Sequence, residues 1–471
     1  MYPRFRFCAL ALICLPWLSA CITQPRIEGP PPAPFDATVE GFTADIRIVG
    51  FDEQAADRTA DALSRLRTAS DGSMDFLALS GGGAAGSFGA GVLVGMSLQG
   101  ERPQFEVVTG VSTGALIAPF AFLGEDWDDE LTEAFASESA SNLLESRGLG
   151  IFFLPSFFKP APLRDLVDQY VTDDLIAAIA DETEKGRVLL VATTNLDRQL
   201  TTYWDLGKIA RQRNDEAREL FRDVLIASAS VPGVFPPVMF EVEADGREYQ
   251  EMHVDGAATV PFFLGPELMA LWSNPGDMLE QSNLYIIVNG QLQTPSSSTP
   301  INTIQIVSKS FDTMLMFSAR LALGEYAAVA LQNGMNLNVA YIPPDLAFGG
   351  SLNFEQDERK RLFNFARSCA RQNHIWFTQN TLIDSFVNAR IRSEDLKEGF
   401  GVPKFCPTQL LEKQEDGKQD SVFKESLDLR LGPEEDDKAN EREAEAEPAS
   451  GDPETQAEPV QTETEAVSGG R

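Results

Sequence analysis

The sequence predicts an α/β fold, with a mainly parallel central sheet flanked by helices. Three observations lead there. Apolar runs such as Phe76-Leu77-Ala78-Leu79 are short and do not alternate with polar residues, the pattern of strands buried on both faces. Helical patterns separate them, as crossovers between parallel strands require. The composition, 43% apolar and 23% charged over 471 residues, supports a large core. It excludes a wholly disordered, collagen-like or small disulfide-framework chain.

At the N-terminus, Arg4 and Arg6 precede an apolar stretch from Phe7 to Leu18. Residues 1–20 read as a signal peptide whose apolar part is too short to span a bilayer. It ends in Leu18-Ser19-Ala20-Cys21, which resembles the lipobox of bacterial lipoproteins. The resemblance implies cleavage before Cys21, diacylglycerol on its sulfur and an acyl group on its new amine. Such chains anchor a protein because each buried CH₂ contributes about 0.8 kcal/mol. Ile22, not Asp, follows the cysteine, so the expected location is the bacterial cell envelope, at the outer membrane. No other apolar run reaches 18 residues, and no membrane span is expected. Residues 21–37 carry Pro25, Pro30, Pro31, Pro32 and Pro34 and read as an extended tether.

Residues 38–74 are an N-terminal extension, with a strand signal at Asp45–Val49 and a helical one from Ala55 to Leu66. The core, 75–263, holds strands at Phe76–Leu79, Phe105–Thr109 and Val188–Ala192. Helices are expected up to Leu98, up to Phe122 and over Asp215–Ala229. Residues 264–411 complete the α/β domain, with strands at Leu284–Val288 and Leu337–Ile342 and a helix over Ile304–Leu323. Between Gly150 and Lys159 four phenylalanines fall within seven residues, which suits a lipid-facing lid or ordinary core packing. The segment 412–471 is polar, and from Pro433 onward it has 13 acidic residues against 3 basic ones. It cannot bury enough apolar surface to order itself. The net charge of −33 excludes a positive field for nucleic acid and a polybasic membrane patch.

Three motifs carry chemistry. Ser80-Gly81-Gly82-Gly83-Ala84-Ala85-Gly86 lies between a strand and a helix. Its bare N–H groups and the helix dipole suit either an acyl oxyanion or a phosphate. The same residues satisfy the dinucleotide fingerprint, with Glu101 or Glu106 placed about 20 residues on. Gly110-Val111-Ser112-Thr113-Gly114 also lies between strand and helix, the context of a nucleophile elbow that projects Ser112. Asp255-Gly256-Ala257 follows the apolar Met252 and Val254 and is either a turn or a strand-end carboxylate.

A serine needs a base, usually histidine. The candidates are His253 and His374. His253 is two residues from Asp255 and too close to complete an ordinary triad with it, and His374 lacks a turn signal. Asp255 is left as the base. These motifs, in this order, resemble the patatin-like phospholipases. The resemblance implies a Ser112–Asp255 dyad and an oxyanion loop of Gly81, Gly82 and Gly83, supported by Gly86, Gly110, Gly114, Gly256 and Ala257. It implies hydrolysis of phospholipid or other fatty-acyl esters through an acyl-enzyme, without metal or cofactor. Ala227-Ser228-Ala229-Ser230-Val231-Pro232-Gly233-Val234-Phe235-Pro236-Pro237 and Pro162-Leu163-Arg164-Asp165-Leu166 also look familial. Ala85 stands where the family often has Arg or Lys, which favours ester hydrolysis over recognition of a particular phosphate. A non-catalytic lipoprotein keeping the fold as a binding or assembly module is the alternative. Of five cysteines, Cys8 and Cys14 leave with the signal and Cys21 is acylated, so Cys369 and Cys406 are a candidate disulfide in an oxidising compartment.

Overall fold

The computed structural model describes residues 29–31, 37–50, 66, 69, 74–137, 156, 158–264, 279–294, 296–344, 346 and 348–379. The signal segment, Cys21, most of the Phe-rich segment, Cys406 and the acidic tail lie outside them. So does the Ala55–Leu66 helix, apart from its last residue.

The chain enters with two short strands, β1 (Thr38–Val39) and β2 (Arg47–Val49). The expected alternation follows: β3 (Asp75–Leu79), α1 (Gly86–Gln99), β4 (Val107–Val111), α2 (Thr113–Leu123) and α3 (Asp128–Ala136). Next come α4 (Ala161–Tyr170), α5 (Asp173–Glu184), β5 (Val188–Asn195), β6 (Leu200–Asp205), α6 (Leu206–Ala210) and α7 (Asp215–Ser228). A hairpin of β7 (Val238–Ala244) and β8 (Arg247–Asp255) precedes β9 (Asn283–Gln291), α8 (Thr303–Gln332), β10 (Asn336–Ile342), α9 (Gln356–Arg371) and β11 (Phe377–Thr378).

The parallel sheet is the centre of a larger, mixed one. Strands β5, β4, β3, β9 and β10 run parallel in that spatial order. Antiparallel strands extend it: β8, β7 and β1 on one side, β11 on the other, with β6 and β2 branching from β5. The parallel strands lack alternation because both faces are covered. Phe76, Ala78, Ile286, Val288, Leu337 and Val339 pack with Ala319, Leu323, Tyr326 and Ala330 of α8. The intervening Leu77, Leu79 and Ile287 point to the opposite face and are fully buried there.

Register brings two distant segments together. The edge of β5 away from β6 is shared by two strands. Beside it β4 runs from Val107↔Val188 to Val111↔Ala192, where it ends. The next residue, Thr193, pairs with Asp255 at the end of β8, which arrives from the opposite direction. Strands β4 and β8 therefore meet end to end along one lane of the sheet. The residue after β4 is Ser112.

The N-terminal extension is part of this framework, since β2 supplies Arg47 to a buried ion pair with Glu251 of β8 (2.6 Å). Burial alone pushes the Glu251 carboxyl up, but the His253 and Arg47 partners outweigh it and hold it at about 2. Cys369 on α9 is disulfide-bonded, and its expected partner Cys406 lies outside the described residues.

Helix α8 runs nine residues beyond the expected Leu323. Its outer face exposes Ile306, Val307, Met314, Phe317, Leu321 and Leu331. Among the described residues Gln305–Gln332 is the one helix long and apolar enough to cross a membrane. Charged residues (Lys309, Asp312, Arg320 and Glu325) break its apolar runs, so no unbroken run in it reaches 18 residues.

Candidate active site

The site lies at the C-terminal edge of the parallel strands, where open α/β sheets place ligands. Ser112 leaves β4 with φ 55° and ψ −124°. A non-glycine residue rarely adopts such a conformation, and holding it costs about 1–3 kcal/mol. Its neighbours enforce it. The Ser112 N–H donates to Ser228 Oγ (2.9 Å), and that hydroxyl donates to the Ala192 carbonyl (2.7 Å). Small residues make the turn possible. A Cβ on Gly110 would fall 2.5 Å from Gly114 O, and one on Gly114 2.4 Å from Leu79 O. Gly86 abuts the Thr113 side chain and Gly256 the Ala192 carbonyl just as closely.

The Ser112 hydroxyl donates to Asp255 Oδ2 at 2.6 Å. Asp255 Oδ1 accepts from the Ala257 N–H (2.8 Å), and the Asp255 N–H donates to Ser230 O (3.0 Å). The carboxyl is therefore fixed at both ends. Asp255 is 0% exposed. Burial pushes its carboxyl up to about 7, against the downward pull of the Ser112 and Ala257 hydrogen bonds.

The glycine loop faces this pair. Of the three expected donors, Gly81 is engaged elsewhere: its N–H donates to Pro261 O (3.2 Å). This corrects the expected oxyanion set, because the loop is itself tied down through that bond. The N–H groups of Gly82 and Gly83 have no acceptor among the described residues, nor has that of Thr113 at the start of α2. These three are the available donors. Gly82 and Gly83 are glycines by necessity, since a Cβ would lie 1.9 Å from Asn289 O and 2.1 Å from Ser351 O respectively. Asn289 and Ser351 brace the loop, through Asn289 Nδ2 to Ser80 O (2.7 Å) and Ala84 N–H to Ser351 O (2.8 Å).

The other candidates have different places. Glu106 accepts from the Asp75 N–H (2.6 Å) at the N-terminal start of β3, the edge of the sheet opposite the glycine loop. It cannot serve a nucleotide bound at that loop, and Glu101 is exposed beside Gln99. His253 is fully buried between Thr193 (2.8 Å) and Glu251 (3.4 Å), and burial lowers its affinity for a proton. His374 is exposed before β11, four strands from β4. Neither histidine touches Ser112.

A narrow apolar cavity of about 80 Å³ reaches Ser112 and Gly83, lined by Leu116, Phe120, Leu163, Tyr170, Leu225 and Phe235. Of the Phe-rich segment, Ser156, Phe158 and Lys159 are described, and the Phe158 N–H donates to Val234 O (3.1 Å).

A hydroxyl bonded to a buried carboxyl, facing free amides, is equipped for acyl transfer. Residues 77–264 match the family model of patatin-like phospholipases. Among solved structures the chain is similar to VipD from Legionella pneumophila, with 11% identity and a TM-score of 0.35, covering 77% of this chain and 73% of that one. A likeness this loose supports no argument. No curated protein matches the chain.

The motifs did not disclose Ser228, whose hydroxyl holds the elbow. Ser228→Ala leaves the buried Ser112 N–H without an acceptor, at about 1–3 kcal/mol of stability. Relaxation of the elbow should slow ester turnover by about ten- to a hundred-fold. Thermal melting and p-nitrophenyl ester kinetics measure the two effects.

Proposed function

We propose that the protein is a lipid acyl hydrolase acting through a Ser112–Asp255 dyad. The observation that carries this reading is the 2.6 Å hydrogen bond from a strained serine to a buried carboxyl with no histidine in contact. Asp255 takes the hydroxyl proton as Ser112 Oγ attacks the ester carbonyl. The N–H groups of Gly82, Gly83 and Thr113 receive the developing oxyanion. When the tetrahedral intermediate collapses, the acyl–oxygen bond breaks and the departing alkoxide takes the proton from Asp255. Water then donates a proton to Asp255 and attacks the acyl-enzyme, which releases the fatty acid and restores the Ser112 hydroxyl. The acyl chain lies in the apolar cavity beside Ser112.

The test is labelling with a fluorophosphonate probe, followed by peptide mapping. Modification of Ser112 is the expected result. A chain that is folded yet unlabelled, and that turns over neither p-nitrophenyl butyrate nor lipid, supports the binding-module reading instead.

The reading includes an acylated Cys21 that brings the enzyme to a membrane without basic residues, at the cell envelope and its outer membrane. Leu18-Ser19-Ala20-Cys21 is the support. Cys21→Ser should move the protein from the membrane to the soluble fraction, and unchanged fractionation on immunoblot would refute the anchor.

A further inference from the structure

A second cavity, of about 420 Å³, opens on Gly81 and Gly82, on the other side of the glycine loop from the apolar one. The two cavities share no lining residue and meet at that loop, with Gly83 in the wall of the first. Gly81 also packs on the nucleophile, for a Cβ there would stand 3.1 Å from Ser112 Cβ. An ester whose carbonyl faces the loop amides and whose acyl chain fills the apolar side directs its alcohol half into this second cavity.

Apolar residues such as Val288, Leu315, Met316 and Phe348 make up much of the wall, and the polar side chains in it are neutral but for two. Helix α8 gives Gln305 and Ser308, and the loop before it gives Ser297, Ser298 and Thr299. The Gln291 amide is spent on the Pro343 and Leu346 carbonyls (2.9 Å each) and the Thr313 hydroxyl on the Lys309 carbonyl (2.7 Å). Two lining residues are charged, Lys309 and Asp312. Lys309 Nζ already donates to Ser297 Oγ (2.9 Å). Asp312 accepts from the Ser351 N–H (3.2 Å) and from the Ser351 hydroxyl. One engaged ammonium three residues from a carboxyl on the same helix, on a chain of net charge −33, is poor company for a phosphate. A phosphate gives up its hydration only to several charge-assisted donors. Hydroxyls and amides match the hydroxyls of a polyol donor for acceptor.

Resting on the hydrolase reading, we propose that this cavity binds the alcohol half of the substrate and selects a neutral polyol, a glyceryl or glycosyl group, over a phosphorylated one. The domain's family label names phospholipids, and the cavity points away from them.

The experiment compares two substrates of the wild-type protein with the same acyl chain, 1-lauroylglycerol and 1-lauroylglycerol 3-phosphate, with p-nitrophenyl butyrate alongside. The glyceryl ester is expected to have a kcat/KM at least about ten-fold higher, since repulsion of an ill-matched charge is worth more than the ~1.4 kcal/mol that a factor of ten represents. Equal or reversed values overturn the selectivity while turnover of the p-nitrophenyl ester keeps the hydrolase reading. Turnover of p-nitrophenyl butyrate alone overturns it as well. Turnover of none of the three removes both. Ser308→Leu, checked for an unchanged melting temperature, should lower kcat/KM for lauroylglycerol by about ten-fold or more, and an unchanged value counts against the proposal.

Discussion

Ser112→Ala should abolish turnover of p-nitrophenyl butyrate, with a fall in kcat of at least about a thousand-fold. The fall is large because, on the proposed mechanism, the Ser112 hydroxyl forms the covalent intermediate. The surrounding amides remain, so residual catalysis over water measures what Gly82, Gly83 and Thr113 supply alone. The fold should survive the change. Alanine at 112 keeps the N–H that donates to Ser228 and loses one partner of a carboxyl that Ala257 still holds. A variant that melts as the wild type does and still turns over ester at more than about a hundredth of its rate would reject the nucleophile.

Asp255→Asn has a comparable effect on rate and an opposite one on stability. On the proposed mechanism the carboxylate form of Asp255 is the base, and burial raises its carboxyl to about 7 in the folded protein. The wild-type kcat/KM should therefore rise as pH increases through about 7 and level off above it. The amide cannot accept the proton at any pH, so the rising limb should vanish along with at least about a thousand-fold of the rate. The sign for stability follows from the raised value. The folded state holds its proton more tightly than the unfolded chain, whose carboxyl titrates near 3.8. This contribution to stability is fully present below 3.8 and is lost as pH rises through about 7. The interval corresponds to roughly 4 kcal/mol. Asn carries no charge to bury, so Asp255→Asn should melt higher than the wild type at pH 8. The difference should shrink toward pH 5. A variant that is less stable at pH 8, or a flat wild-type profile between pH 5 and 9, would contradict the assignment.

The parallel strands are legible in the sequence because burial on both faces leaves apolar runs that no helix of that length would show. Phe76–Leu79, Leu284–Val288 and Leu337–Ile342 all fall inside observed strands. The strand expected at Phe105–Thr109 is observed as Val107–Val111, because Phe105 and Glu106 fill the entry to it. The antiparallel flank carries a weaker pattern. Strand β7 alternates, burying Phe240, Val242 and Ala244 and turning Glu241 and Glu243 outward. Asp245-Gly246 makes its hairpin turn with positive φ at both residues, a known signal for pairing with β8. Those signals are present in the sequence, but they form no continuous apolar run. Ser112 and Asp255 were named from motif and context. The sequence could not show that Gly81 spends its N–H on Pro261, or that Ser228 props the elbow, since both depend on segments more than a hundred residues apart meeting in space.

The end-to-end meeting of β4 and β8 beside β5 has a consequence for biogenesis. The two reacting side chains are 143 positions apart in the chain, and neither strand pairs with the other. Their encounter depends on β5 being seated first, so nucleophile and base come together late, as long-range pairings do. Recovery of esterase activity after dilution from denaturant should then lag behind the return of helical circular dichroism.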